Sequence, residues 1–453
     1  MNKREFRNYM LSGLGRCAME LRDEKRAAEL KADVLWGCLN ACSFDEQSEG
    51  SRSDYLYRLL SIYNDTEYFL PVLIDVFHRL RPESDVKLRQ LAELLSRFSA
   101  DGYSEAKEAL LKKYGELLLA LTKKRVCPIY DYTRDALEVL CVELVNLGGE
   151  EELVRTVSDL GGLFLKNHNY GASDFDWYCV NAEGTFGKRK FLALLKREAK
   201  RSEGAAAFYG SLSSAEAVEK PVFSKVMEVP SVGELVLAAK ENGQFDIGKS
   251  VRFAKGATEE EALALAKEII SESDLKKKAR LLSAFSYRGK SFPLSHEILI
   301  EYAASKNPLL CETALGALTN CRSNEVREYA KKLLLVGEHR EDALIILIRN
   351  YTPEIKEFLL RELNKACVYY LGELDLHGVI MTVTHAHEMG VRLPKEFFLL
   401  VYEKALCSRC RYRAVRILSK HRWLPREIIE ECRYDSSSDI VDFVNRYYPA
   451  KRA

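Results

Sequence analysis

The sequence lacks long apolar runs and has few residues that interrupt helices. It holds only 11 prolines in 453 residues, and no stretch approaches the roughly 20 apolar residues of a membrane-spanning helix. Alternating apolar and polar residues, the pattern of half-buried strands, are scarce. The segment from Met1 to Arg26 becomes charged too early to supply the apolar centre of a signal peptide. These absences predict a cytoplasmic, helical protein without a membrane partner.

Motifs that carry enzyme chemistry are also missing. The sequence contains no phosphate-binding glycine loop followed by lysine, no HExxH pair and no GxSxG turn. We therefore assign no catalytic residue and predict no cofactor.

The composition supplies enough apolar material for a large core. Hydrophobic residues make up 47% of the chain and charged residues 30%, with a net charge of +1. This balance argues against a uniformly basic surface, although a local basic face is compatible with it.

The 12 cysteines are scattered without regular spacing. Free cysteine packs as a small hydrophobe, and this usage favours a reducing compartment. Cys407 and Cys410 have the spacing of half a zinc site, but only His421 follows nearby, so we interpret Cys410 as a core residue. His385 and His387 point in different directions on a helix. We predict no metal site.

Four stretches in the second half repeat one helical face. Each places small or apolar residues at i, i+4, i+7 and i+8, and the alanines among them allow a neighbouring backbone to approach closely. The stretches are Ala262/Ala266/Ile269/Ile270, Leu310/Ala314/Ala317/Leu318, Val326/Ala330/Leu333/Leu334 and Cys410/Ala414/Ile417/Leu418. Recurrence of this face predicts stacked helices.

The periodicity divides the chain into three regions. Residues 1–166 form an N-terminal helical region, in which one helix starts near Thr133, stops at Gly148-Gly149 and is followed by another that ends at Lys166. Residues 167–257 combine an irregular insertion at 167–187, a basic helix and a second irregular passage at 203–231. Residues 258–453 alternate helices with short turns and end in basic helices.

The third region resembles HEAT repeats, whose second helix often has an acidic or amide residue, then Val-Arg, then alanine. Asn324, Val326-Arg327 and Ala330 follow this order, with a looser match at Val415-Arg416. The resemblance covers 258–425. It implies an all-α, right-handed superhelix of stacked antiparallel helix pairs that binds partners along its concave surface.

Two polar clusters are candidate partner-binding sites. Aromatic rings beside carboxylates suit recognition of a peptide or a base, because these rings supply contact area at low entropy cost. One cluster contains Asp45, Arg52 and Tyr55; the other contains His168, Tyr170, Asp174, Asp176, Trp177 and Tyr178. Ordinary helix capping also explains the first, and a loop anchored on the helices by Trp177 explains the second.

Two basic helices form a third candidate surface. Regularly spaced cations on one helix face attract phosphates through counterion release, although such faces are often paired with glutamates. The first helix carries Arg189, Lys196 and Lys200, with Lys190, Arg197 and Arg201 in the adjacent register; the second carries Arg409, Arg413, Arg416 and Lys420.

From these patterns we predict a non-catalytic HEAT-like scaffold that binds a protein or peptide on its concave face. The alternative partner is nucleic acid, bound by the basic helices at 188–201 and 409–422. A second alternative is a HEAT-like enzyme of lyase or glycosylase type with its site near the 167–187 insertion.

Overall fold

The protein is all-α, as predicted. A computed structural model describes residues 1–40, 50–124, 131–217, 228–240, 246–286, 290–368 and 376–449. The structure is 78% helical and contains no strand within those ranges. None of the described helices is both long and apolar enough to cross a bilayer.

The chain divides into two compact units. Unit 1 comprises Met1–Val222, Leu406–Arg409 and Pro425–Ala453, and unit 2 comprises Phe223–Ala405 and Cys410–Leu424. The predicted regions change at 166/167 and 257/258, whereas the main division between the units lies at residue 222.

Unit 1 contains the N-terminal helices and the last two helices of the chain. They are α1 (Lys3–Ser12), α2 (Arg16–Glu20), α3 (Glu24–Cys38), α4 (Ser53–Ser61), α5 (Thr66–Arg79), α6 (Asp85–Ala100), α7 (Ser104–Lys123), α8 (Tyr132–Lys166), α9 (Asp176–Phe186), α10 (Lys188–Glu198), α11 (Glu203–Ala217), α24 (Arg426–Cys432) and α25 (Ser438–Tyr447). A 3₁₀ turn at Ala172–Phe175 precedes α9.

Helix α8 is the centre of unit 1 and packs against α6, α7, α9, α10 and α11. It bends at Gly149, whose φ of 58° and ψ of −131° are not helical, which agrees with the predicted stop at Gly148-Gly149. Its contact with α11 is backbone to backbone, because a Cβ on Gly161 would lie 1.7 Å from the carbonyl oxygen of Gly204.

The C-terminal helices of unit 1 pack against its first helices. Arg16 pairs with the buried Glu431 at 2.9 Å, and the Ser436 amide donates to the Gly13 carbonyl at 2.8 Å. A Cβ on Gly15 would lie 1.9 Å from the Glu431 carbonyl oxygen. These contacts join segments from opposite ends of the sequence into one unit.

Unit 2 contains the remaining helices. They are α12 (Val232–Lys240), α13 (Ile247–Gly256), α14 (Glu259–Ser271), α15 (Leu275–Ser286), α16 (His296–Ala303), α17 (Pro308–Leu318), α18 (Asn324–Val336), α19 (Arg340–Arg349), α20 (Lys356–Val368), α21 (Leu376–Glu388), α22 (Lys395–Lys404) and α23 (Ser408–Lys420). The division between the units crosses the first turn of α23, which is one continuous helix.

Alternate helices of unit 2 pack side by side. Helices α13, α15, α17, α19 and α21 form one row of successive contacts, while α12 packs on α14, α16 on α18, and α20 on α22. Local capping fixes where these helices start: Thr258 and Glu261 form a capping box before α14, and Asn307 caps α17 ahead of Pro308.

The four repeated stripes face the interior. All of their residues are buried except Ile270, which is 41% exposed. Alanine at the stripe centres leaves room for the neighbouring helix, as the spacing predicts.

Two passages predicted to be irregular contain helices instead. Residues 176–186 form α9, and residues 203–217 form α11. Their sequences lack a clear apolar stripe, yet both helices pack against α8. Tyr178 of α9 and Phe208 of α11 are buried, and Gly204 of α11 lies close to Gly161 of α8. Tertiary packing therefore overrides the weak local pattern.

Candidate interaction surfaces

A groove in unit 2 crosses three successive helices of one row. Its volume is about 470 Å³, within the range of about 300 to 1,000 Å³ found for ligand pockets. Ile247 of α13, Ala279 and Ser283 of α15, and Leu309 and Thr313 of α17 contribute to its lining. We call this surface the groove.

The groove combines exposed apolar side chains with a mixed set of charges. Ile247 and Leu309 are 54% and 43% exposed. Lys276, Arg280 and Glu312 also line it, which gives two cations and one carboxylate. Arg280 donates to the Ala239 carbonyl at 3.1 Å, so its guanidinium is held in place. The groove therefore offers both apolar surface and positive charge.

The predicted basic stripe of α23 is exposed to solvent. Arg409, Arg413, Arg416 and Lys420 all lie on its outer side, opposite the buried Ala414 and Leu418. Among the residues that the structure describes, none of the four forms a salt bridge with a carboxylate. We call these four residues the basic face.

Histidine and aromatic rings lie beside the basic face. Arg413 donates to His385 Nε2 at 2.8 Å, and the Nε2 atoms of His387 and His421 lie 3.1 Å apart. His421 also stacks on Trp423, with ring centroids 4.5 Å apart. This arrangement places flat rings next to cations that no described carboxylate neutralises.

The pKa of His387 lies below its ordinary value of 6.5. Burial is the largest cause, followed by the charges of His421 and Lys420, while Glu388 acts in the opposite direction. His387 is therefore biased towards the neutral imidazole.

The other basic helix, α10, is partly neutralised. Arg189, Lys196 and Lys200 are exposed and lack a salt bridge to any described carboxylate. In the adjacent register Lys190 pairs with Glu150, whereas Arg197 and Arg201 both pair with Glu198. The sequence register thus separates the cations that have a carboxylate partner from those that lack one in the described part of the chain.

The second polar cluster is divided between the core and the surface. Tyr178 is buried and its hydroxyl shares a hydrogen bond with Thr156 at 2.7 Å; Tyr170 is buried and donates to Asp131 at 2.6 Å. Asp174 accepts from the Gly171 amide. His168, Asp176 and Trp177 are exposed.

Trp177 is not the residue that anchors the 167–187 segment on the neighbouring helices. Trp177 is 37% exposed, and its ring lies under the Arg89 guanidinium at 4.8 Å. Tyr178 and Phe175 are fully buried instead. His168, Asp176 and Trp177 remain available to a partner, whereas Tyr170 and Tyr178 support the fold.

The first polar cluster is mostly interior. Arg52 is buried and donates to the Leu406 carbonyl at 2.5 Å, and the buried Tyr55 hydroxyl donates to the Leu14 carbonyl at 2.8 Å. Burial raises the pKa of Tyr55. Asp45 lies outside the described residues. Both described members therefore stabilise unit 1.

The cysteine pair has a different histidine neighbour from the one the sequence offered. Cys407 and Cys410 are buried, and a ring nitrogen of His377 lies within 4.8 Å of their sulfur atoms. His421 lies instead in the contact with His387. The sequence pattern found the thiols but not the imidazole, because His377 is distant in the chain.

Groove residues were also missed by sequence reasoning. Ile247, Lys276 and Leu309 belong to three helices, and no local spacing connects them. Ile247 and Leu309 stand out in the sequence only as apolar residues in the first turns of their helices, which is a weak signal.

The chain matches no protein-family model and no curated protein, and its structure matches no solved structure.

Proposed function

We propose that the protein is a HEAT-like scaffold that binds a segment of a partner protein in the groove of unit 2. The observation that carries this proposal is a recess of about 470 Å³ across α13, α15 and α17. Successive helices of one row supply its walls, so a partner segment lying across the row contacts all three.

The packing order of unit 2 supports the HEAT-like part of the proposal. In helical repeats each unit packs on its neighbours, so alternate helices lie side by side. The row from α13 to α21 follows this rule, and the pairs α12–α14, α16–α18 and α20–α22 are consistent with a second row.

The lining indicates the chemistry of the partner. Ile247 and Leu309 favour burial of an apolar side chain, since burying apolar surface contributes about 25 cal/mol per Å². Lys276 and Arg280 favour a carboxylate beside that side chain. We therefore infer a partner segment that combines apolar and acidic residues.

The experiment is selection of short peptides from a random display library on the purified protein. Selected peptides should combine apolar and acidic residues. Leu309→Asp, which places a carboxylate in the groove, should weaken their binding at least about tenfold, or about 1.4 kcal/mol. The matched control is Leu335→Asp on α18, where the leucine is 77% exposed and outside the groove.

Equal binding to both variants would contradict the groove as the binding surface. Circular dichroism of the two variants should be the same as that of the wild type, since both leucines are substantially exposed.

A second candidate function is nucleic-acid binding by the basic face. The specific observation is the set of exposed cations on α23, which lack salt bridges to described carboxylates and lie beside the His421–Trp423 stack. Cations neutralise phosphates, and flat rings stack on bases. Fluorescence anisotropy with labelled single-stranded DNA and RNA across a salt series tests this candidate.

The enzyme alternative near the 167–187 segment and the role of the exposed residues of α10 stay predictions.

A further inference from the structure

Three potential metal ligands converge at the starts of α21 and α23. A ring nitrogen of His377 and the sulfur atoms of Cys407 and Cys410 all lie within 4.8 Å of one another. Both cysteines are buried, and His377 is partly exposed. We call these three residues the Cys-His cluster.

Local structure brings the two sulfur atoms together. Helix α23 begins at Ser408, so Cys407 directly precedes it and Cys410 lies in its first turn. A Cys-x-x-Cys pair at the start of a helix presents both thiols on one side without help from distant segments.

His377 supplies the third ligand from another helix. It is the second residue of α21. Its partial exposure gives an ion a path from solvent, whereas the buried cysteines provide the low-dielectric surroundings in which metal–thiolate bonds are stable.

We propose that the Cys-His cluster binds a zinc ion. Zinc prefers a tetrahedral set of thiolate and imidazole ligands, with bonds of about 2.3 Å to sulfur and about 2.0 Å to nitrogen. Such bonds separate neighbouring ligand atoms by roughly 3.5 to 3.8 Å, inside the observed limit of 4.8 Å. This proposal departs from the prediction of no metal site.

Three protein ligands leave the fourth tetrahedral position to water or another donor. Two thiolates favour zinc over the hard cations Mg²⁺ and Ca²⁺, which take oxygen ligands. The ion would join the start of α21 to the start of α23, and its binding would stabilise the native state of these two helices.

Burial of cysteine alone does not identify the cluster. Nine described cysteines are buried and form no disulfide bond, and Cys311 also has a histidine neighbour, with its sulfur 3.6 Å from His339 Nε2. That pair lacks a third donor among the described residues, since the cluster is the only group of three found in them. Cys311 is therefore the matched control.

The experiment measures metal binding by the full-length protein after removal of metal with a chelator. Each chain should bind one zinc ion, measured by elemental analysis after desalting. Cobalt should give the visible absorption of tetrahedral thiolate coordination, and added zinc should abolish it. Cys410→Ser and His377→Ala should lose stoichiometric binding, whereas Cys311→Ser should retain it.

Absence of stoichiometric zinc binding by the wild type would overturn the proposal, as would equal loss of binding in Cys311→Ser and Cys410→Ser. If Cys410→Ser does not fold, the partly exposed His377→Ala variant decides the question. Retention of the wild-type cobalt spectrum in folded His377→Ala would remove the histidine from the site and contradict the proposal.

Discussion

The groove and the basic face belong largely to the same unit but differ in shape and in charge balance. The groove is a recess with exposed Ile247 and Leu309, and its two cations are accompanied by Glu312. The basic face is the outer side of one helix, and its cations lack a described carboxylate partner. Burial of apolar surface governs the first, and long-range charge governs the second.

Because of this difference, salt separates the two candidate functions. Apolar burial depends little on ionic strength, whereas exposed charges are screened over about 8 Å at physiological salt. Salt screens the contact of Lys276 and Arg280 with a partner carboxylate but not the apolar contact, so a partner of the groove should lose less affinity as salt rises than a partner of the basic face.

The largest effect is expected from charge reversal on the basic face. Arg413→Glu with Arg416→Glu should weaken oligonucleotide binding more than about tenfold. The slope of log affinity against log salt should become shallower by about 0.7 to 0.9 for each phosphate that the variant no longer neutralises. Anisotropy titrations at several salt concentrations measure both quantities.

The control reverses paired cations on α10. Lys190→Glu and Arg201→Glu replace residues already engaged with Glu150 and Glu198, so oligonucleotide affinity should change little. A decrease equal to that of the α23 variant would show that total charge, and not the basic face, sets the affinity.

A smaller effect is expected from filling the groove. Thr313→Trp places a large ring where the native hydroxyl bonds to the Leu309 carbonyl of its own helix. Display-selected peptides should bind about tenfold more weakly, or about 1.4 kcal/mol, when measured by calorimetry.

Leu237→Trp on α12 is the control for this substitution, because Leu237 is 63% exposed and does not line the groove. Oligonucleotide binding should be the same in both variants. A lower oligonucleotide affinity in Thr313→Trp would mean that the two surfaces are not independent.

The smallest effect concerns pH and His387. Its pKa is lowered in the folded protein, so the unfolded chain takes up a proton at a higher pH than the folded protein does. The stability that His387 contributes is therefore present above pH 6.5 and is lost as pH falls through the folded pKa. Chemical unfolding at pH 7.5 and 5.5 measures the difference.

His387→Gln should reduce this loss of stability on acidification. Identical pH dependence in the wild type and His387→Gln would show that burial and the charges of His421 and Lys420 do not lower the pKa of His387 in the folded protein.

The sequence predicted the features of the fold that depend on local spacing. The stripe from Leu310 to Leu318 is buried because its period matches the helix, and Gly149 interrupts α8 because it adopts a positive φ. Neither result needs knowledge of distant residues.

Features that depend on tertiary packing were not predictable. Trp177 and Tyr178 are adjacent, and only the packing of α9 on α8 decides that the tyrosine is inside. The groove joins side chains from three helices, and His377 meets Cys410 only through the fold. Their spacing in the sequence does not indicate that the groove residues, or His377 and Cys410, lie close together.

Photo-cross-linking shows where on the protein a partner segment binds. A display-selected peptide carrying a photoreactive phenylalanine analogue is irradiated with the protein, and the attached residues are identified by mass spectrometry. If the groove is the binding surface, cross-links will fall on α13, α15 and α17, near Ile247, Leu309 and Thr313. Cross-links confined to α23 or to unit 1 would contradict binding in the groove.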